Sequence, residues 1–231
     1  MNSDKTENIL YSGPYYLPIK SKVPTFSLDI NDNNAYCYLS SIKESDKNVI
    51  YNHLRPENHG SVEIHKWTLT LPNPYTLDDA SQFITHCENK AKMSGKCLNW
   101  AIRNSQGKFI GSIGLIPPGI PLENDKNNIL NNINKINENK NLLEHSYEIG
   151  YWIASEYTNM GIASAAVRVV TDEIAFREMG LRKVRAFVFM GNDKSMRVLV
   201  KAGFKNIDFL SEYYLKNGQK IDAILFVKVP E

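Results

Sequence analysis

Residues Tyr157 to Ser164 read Tyr-Thr-Asn-Met-Gly-Ile-Ala-Ser, a short run with one glycine set between an apolar, aromatic segment and an amphipathic one. Where a strand feeds a helix through such a run, the first backbone N–H groups of the helix converge on one place. The positive end of the helix dipole makes that place fit for an anion. The loop is therefore expected to hold an anion. The same letters also read as an ordinary helix start, with Thr158 or Asn159 as N-cap and Gly161 as a helix-start glycine. Further on, Asn192, Asp193 and Ser195 precede an apolar run that closes at Gly203, and each is a residue type that caps helices.

The elements that must position these residues follow from periodicity. Tyr147-Glu148-Ile149-Gly150-Tyr151-Trp152-Ile153 is rich in β formers and has the length of one strand. Ile162, Ala166, Val170 and Ile174 then recur at helical spacing as far as Met179, and Gly180 stands where a helix C′ residue belongs. Lys183 to Met190 reads as a second strand. Strand, helix, strand over this length is a crossover unit whose two strands run parallel, and ligands of open α/β sheets lie at the carboxyl ends of such strands.

Around this unit the chain is punctuated by prolines, glycines and caps. Residues 1–34 carry Pro14, Pro18 and Pro24 among Ser, Lys and Asn and are expected to form an extended arm, with one domain over 35–231. Ala35 to Ile42 is β-like and leads to a helix from about Lys43 to Leu54. Arg55 to Gly60 is a loop, and Pro72-Asn73-Pro74 excludes regular structure before Tyr75. Thr76 to Met93 reads as a helix capped by Thr76, with Asp78 and Asp79 in its first turn and Ala80, Phe83, Ile84, Cys87 and Ala91 as its buried stripe. Leu98–Arg103 and Phe109–Ile116 form a hairpin through Asn104-Ser105-Gln106-Gly107. Lys205–Tyr214 and Lys220–Val229 form another around Lys216-Asn217-Gly218-Gln219. Residues 117–141, rich in Asn, read as a loop insertion.

Composition narrows the function classes. The chain has 231 residues, 42% of them hydrophobic, enough for a sizeable core. A net charge of +2, without a Lys/Arg run, gives no footprint for nucleic acid, so an anionic ligand must be caught locally. Cys37, Cys87 and Cys97 are odd in number and lack metal-ligand spacing, which favours a reduced protein without structural zinc, and no metal is expected. Met1 to Ile9 lacks the pattern of a secretory signal, and no apolar run reaches transmembrane length. The expected compartment is the cytoplasm or nucleus, with no membrane partner. Oligomeric state is not legible.

The ordering of elements after about residue 35 resembles the GCN5-related N-acetyltransferases (GNAT). The local motifs resemble the branch that acetylates ribosomal-protein N-termini: Pro74-Tyr75-Thr76 to Phe83-Ile84, Glu148-Ile149-Gly150-Tyr151-Trp152-Ile153, Gly161-Ile162-Ala163, and Asn192 through Ser195 to Gly203-Phe204. The resemblance implies a layered α/β fold. Its central twisted sheet would be mixed and mostly antiparallel, with one parallel, splayed strand pair and helices on both faces.

The family's acyl-CoA loop, Gln/Arg-x-x-Gly-x-Gly/Ala, falls on Thr158, Asn159, Met160, Gly161, Ile162 and Ala163, with Ser164 next. Thr158 departs from the basic or amide residue usual there, so a side-chain clamp would come from elsewhere, with Lys194 and Arg197 as candidates. The resemblance further implies that the pantetheine arm pairs with backbone near Trp152 and Ile153. Asn192 would face the pantetheine or thioester, and Ser195 would come close to the sulfur.

The implied chemistry is attack by a neutral amine on the thioester of acetyl-CoA, the cosubstrate. At pH 7 deprotonating an α-amino group costs about 1 to 1.4 kcal/mol and a lysine about 4.6 kcal/mol, so an N-terminal substrate needs less help from a base. Glu148 is the candidate base, directly or through water, and His145 the alternative. Alternation places Glu148 on one face with Gly150 and Trp152, and were that face in solvent it would be a surface charge. A backbone N–H near Ile153 would stabilise the oxyanion, and Ser195 would protonate or solvate the departing thiolate. The Tyr that many members use as acid is replaced by Leu199. Asn52–Tyr75 and the hairpin Phe209–Ile221 would surround the amine, with Trp67, Trp100, Tyr213 and Tyr214 as lining or as core. The expected function is acetyl-CoA-dependent acetyl transfer to a primary amine, a protein N-terminus or a small amine. The alternative is a noncatalytic acyl-CoA-binding or partner-binding protein of the same fold.

Overall fold

The computed structural model describes residues 14–18, 36–118 and 146–231. The eight strands hydrogen-bond in the order β1-β2-β3-β4-β5-β6-β8-β7. They are β1 (Tyr15–Leu17), β2 (Cys37–Ser41), β3 (Asn99–Asn104), β4 (Phe109–Ile116), β5 (Tyr147–Ile153), β6 (Val184–Phe189), β7 (Lys205–Lys216) and β8 (Gln219–Lys228). The sheet is mixed. β5 and β6 run parallel, in register at Tyr147↔Val184 and Glu148↔Arg185. The other pairs with a defined register run antiparallel. The helices are α1 (Lys47–Leu54), α2 (Ser61–Trp67), α3 (Leu77–Ser94), α4 (Ile162–Arg168) and α5 (Asp193–Lys201).

The chain divides into two compact units. The first takes the described residues up to Lys66, then Leu71–Gly114 and Tyr151–Ala166. The second takes Trp67–Thr70, the described part of Leu115–Gly150, and Val167–Glu231.

In the first unit α1 and α3 pack with β3 and β4 around Ile50, Leu54, Ala80, Ile84, Ala101 and Phe109. α3 forms as its residues dictate. Thr76 Oγ1 accepts from Asp79 N–H while the Asp79 carboxylate accepts from Thr76 N–H, and Gly95 closes the helix in the left-handed region. Ala80, Ile84, Cys87 and Ala91 are buried, with Phe83 partly so. β3 is tied to the chain before α1 by Arg103, whose guanidinium meets Asp46 at 2.7 Å with both side chains almost wholly buried. Ser40 Oγ and the Ser41 and Gly107 carbonyls accept the remaining Arg103 bonds, so the buried charge is fully partnered.

β4 and β5 approach closely. Ala154 N–H donates to Ile110 O, and the Trp152 carbonyl oxygen lies 2.4 Å from where a β-carbon on residue 111 would sit. Glycine is therefore required at 111 for close approach.

The second unit is built on β6, β8 and β7. Phe189, Leu210, Tyr214, Ala223, Leu225 and Val227 form its core, with Trp67, Phe187 and Tyr213 packed against it. Tyr213 stacks on Phe187 at 4.9 Å and meets Tyr214 edge-on at 4.7 Å. The β7–β8 hairpin turns at Asn217 and Gly218, both in the left-handed region, as an Asn-Gly turn demands.

Several features go beyond what the sequence indicates. α2, in a stretch to which the sequence assigns no element, buries Ser61, Ile64 and His65. α4 continues as a π-helix, Val169–Glu178, with the Thr171 hydroxyl bonded to Val167 O, a departure that apolar spacing does not encode. Ile162, Ala166, Val170 and Ile174 are nonetheless buried as their spacing demands. Within the arm, Tyr15–Leu17 pairs with β2. Of residues 1–34 the rest, apart from Pro14 and Pro18, lies outside the described residues, as do His145 and all but Pro117 and Pro118 of the Asn-rich stretch.

Gly111→Ala is expected to cost about 1–3 kcal/mol in denaturant unfolding, since the Trp152 carbonyl must move. At Gly150 a β-carbon would meet nothing within 4 Å, and Gly150→Ala should stay within about 0.5 kcal/mol of wild type.

Candidate functional site

The end of β5 leads into a tight turn. Ala154 is followed by the 3-10 turn Ser155–Tyr157, whose Tyr157 ring is buried and whose N–H returns to Ala154 O. Thr158 N–H and Thr158 Oγ1 both donate to Ser155 O, the hydroxyl at 2.8 Å. The Thr158 side chain is thus turned back onto the preceding turn and neither caps α4 nor extends outward. Asn159 and Gly161 then take positive φ, 64° and 79°, and α4 begins at Ile162. The N–H of Ala165 is bonded to Gly161 O. The N–H groups of Ile162, Ala163 and Ser164 therefore have no carbonyl one turn back within the helix, which is the arrangement an anion requires. Ser164 is buried, Met160 half-buried and Ala163 partly exposed. Trp152 and Ile153, at the end of β5, belong to the same unit as this loop.

In the second unit Glu148 lies on β5 with its carboxylate 3.7 Å from Arg185 Nε, both side chains less than one-fifth exposed. Arg185 also donates to Ser146 O and Oγ. Glu148 is therefore an ion-paired, partly buried carboxylate rather than a surface charge. Asn192 follows Gly191, a left-handed residue, and caps α5: its Oδ1 accepts from Ser195 N–H at 3.2 Å. Ser195 is half-buried, while Lys194 and Arg197 are exposed. Leu199 is fully buried in the α5 core face.

The aromatic candidates separate. Trp100 is core in β3 and Tyr214 is core in β7, whereas Trp67 and Tyr213 are partly exposed. Trp67 Cη2 lies 3.6 Å from the β-carbon position of Gly191. Beside them Lys216 Nζ donates to Thr68 O at 2.7 Å, and burial lowers its pKa.

One pair escaped the sequence. His53, on α1, is buried; its Nε2 is 3.2 Å from Phe109 O and its Nδ1 is 3.6 Å from Glu156 Oε1. Its ring meets Trp152 edge-on at 6.3 Å. No motif joins His53 to Glu156, because only the fold brings α1 to the turn. Burial pushes the His53 pKa below its ordinary value, opposed by Glu156 and the Phe109 carbonyl and assisted by Lys108. Among the described residues no group of three or more His, Cys, Asp or Glu is arranged to hold a metal. No helix there is long and apolar enough to cross a membrane.

Because the folded His53 resists protonation, the unfolded chain takes up its proton first as pH falls below about 6.5. Stability carried by neutral His53 is therefore present above that pH and declines on acidification. His53→Gln removes this component, so melting temperatures measured at pH 7.5 and 5.5 should differ less in the variant than in wild type.

Known proteins share this fold. The chain is 35% identical over 79 residues to the Bacillus subtilis (strain 168) protein named "Uncharacterized N-acetyltransferase YoaA", a stretch that is 34% of this chain and 44% of that protein. The chain thus spans less than half the length of that curated relative. Among solved structures it is similar to the ribosomal-protein-S5-alanine acetyltransferase from Vibrio fischeri, with 22% identity, 84% of this chain and 93% of that one covered, and a TM-score of 0.62. It is likewise similar to Mycobacterium smegmatis RimJ in complex with CoA-disulfide, with 19% identity, 84% and 82% covered, and a TM-score of 0.61. At these identities the structures show the fold. The profile of the acetyltransferase (GNAT) domain matches residues 38–205, from β2 to the first residue of β7, and the chain belongs to that family.

Proposed function

We propose that this protein transfers an acetyl group from acetyl-CoA to a primary amine, a protein N-terminus or a small amine, by direct attack in a ternary complex. The observation that carries the reading is the Thr158–Ser164 loop. A strand ends, the backbone turns through two left-handed residues, and the first-turn N–H groups of a helix lack intrahelical carbonyls within the span matched by the family. The residues fit the group: backbone of Asn159, Met160, Gly161, Ile162, Ala163 and Ser164 would hold the diphosphate. Thr158 would contribute through its main chain, since its hydroxyl is committed to Ser155 O.

The remaining roles follow family position. Trp152 and Ile153 backbone would pair with the pantetheine arm, and Asn192 and Ser195 would meet its amide and sulfur. Acetyl-CoA supplies the activated acyl group when bound. Glu148 would take the amine proton directly or through water, and Ser195 would hold a hydrogen toward the departing sulfur. A protein N-terminus is the acceptor to test first, because its α-amino group is largely ready to react near pH 7. The named activity of the Vibrio fischeri neighbour points the same way. The free state of Cys37, Cys87 and Cys97 fits a reducing compartment, cytoplasm or nucleus.

A second reading, a noncatalytic acyl-CoA-binding protein, is favoured by one observation. Leu199, where many members carry an acid, is wholly buried in the core.

Calorimetric titration with acetyl-CoA should show micromolar binding by wild type and loss of it in Gly161→Glu, with circular dichroism confirming that the variant is folded. Thiol release should then follow addition of peptides with an N-terminal alanine. Glu148→Gln should keep acetyl-CoA affinity while kcat falls about 100-fold. Binding without turnover on any peptide or small amine would favour the second reading, and no binding by wild type would overturn both.

A further inference from the structure

We propose that His53 is a positioning residue for the acetyl-CoA loop, tying α1 to β4 on one side and, through Glu156, to the turn that carries the loop on the other. The inference rests on the acetyl-CoA reading above and adds to it a residue outside the loop.

The Phe109 carbonyl and the Glu156 carboxylate can both only accept, and the shorter contact, 3.2 Å against 3.6 Å, assigns the single hydrogen of neutral His53 to Nε2. Nδ1 then presents a lone pair to the Glu156 carboxylate at 3.6 Å, two acceptors face to face. A proton on Nδ1 converts that contact into a charge-assisted hydrogen bond. Glu156 is placed to receive it, because its other oxygen accepts from Ser155 Oγ and leaves Oε1 on the His53 side. Ser155 is itself pinned: a β-carbon on Gly60 would lie 2.1 Å from its Oγ, so the loop after α1 rests on the same turn. The groups facing His53 are Glu156 from the turn, Lys108 and the Phe109 carbonyl beside β4, and the Trp152 ring from β5. Glu156 is the one anion among them.

The turn leads directly to the loop. Thr158 N–H and Oγ1 both hang on Ser155 O, and Asn159 and Gly161 follow. Fixing Glu156 therefore reduces the freedom of the backbone that must present its N–H groups to the diphosphate. Since the His53–Glu156 bond closes on protonation, which burial delays to below the ordinary imidazole value, acetyl-CoA binding should tighten at the acid end of the pH range. Ionisation of the ligand's own phosphates changes affinity too, but identically in every variant.

The test is acetyl-CoA calorimetry between pH 8 and 5.5 on wild type, Glu156→Gln, His53→Gln and His53→Ala. Over that range wild type should gain about threefold in affinity beyond Glu156→Gln, as a partly exposed ion pair permits. His53→Gln, which keeps a donor for the Phe109 carbonyl but does not titrate, should follow Glu156→Gln. His53→Ala should bind about fivefold more weakly at pH 7, and His53→Gln should recover part of that loss. A merely structural histidine would lower melting temperature and leave the four pH profiles parallel. Parallel profiles overturn the proposal, as does wild-type affinity in His53→Ala. Should His53→Ala not fold, the two Gln variants decide, since Glu156 is partly exposed. Failure of wild type to bind at every pH would instead remove the acetyl-CoA reading, and the proposal with it.

Discussion

Buried backbone groups must find partners, and at the end of β5 this demand fixes everything downstream in the first unit. Ala154 N–H reaches Ile110 O only because residue 111 has no side chain where the Trp152 carbonyl lies. From that anchor the chain has little choice. Tyr157 buries its ring and bonds back to Ala154, Thr158 bonds back to Ser155, and the backbone must then enter the left-handed region twice before a helix can start. Asparagine and glycine are the residues that tolerate such φ values at least cost. The loop is thus a consequence of strand packing as much as of its own letters, and on the acetyl-CoA reading it is this packing that sets out the N–H groups for the diphosphate.

In the second unit the same economy appears at a helix start. Asn192 caps α5 through Ser195 N–H. A capping side chain is held in one rotamer by the bond it makes, which is what a residue meeting a ligand also requires. Capping and ligand contact are therefore compatible duties for one residue. Gly191 permits the turn that puts Asn192 there, and buried Leu199 holds the far side of the helix to the core.

Much of the fold was legible because it rests on local rules. Thr76 and Asp79 announce α3, Asn217-Gly218 announces the last hairpin, and the strand, helix, strand order around Tyr147–Phe189 announces parallel strands. What stayed hidden depends on contacts distant in sequence. The helix at Ser61–Trp67 is set by burial, and the π-helical continuation of α4 leaves the apolar spacing unchanged. At the candidate site the loop was legible as a motif, and Glu148 as a carboxylate on an apolar strand. Its partner Arg185 and the His53–Glu156 contact were not, since each joins elements that only the folded sheet brings together.

On the acetyl-transfer reading, the Glu148–Arg185 pair bears on which amine would be the acceptor. A carboxylate that faces a guanidinium at 3.7 Å, whose Nη1 donates to Ser146 O and Oγ, is drawn into an ion pair and is not set aside as a strong base. A lysine acceptor would ask such a group to offset about 4.6 kcal/mol at pH 7, an α-amine only about 1 to 1.4. On the acetyl-transfer reading, the smaller demand is the one this pair can meet. The same pair that stiffens the end of β5 nearest β6 therefore argues for acceptors of low basicity, with α-amino groups ahead of lysine side chains.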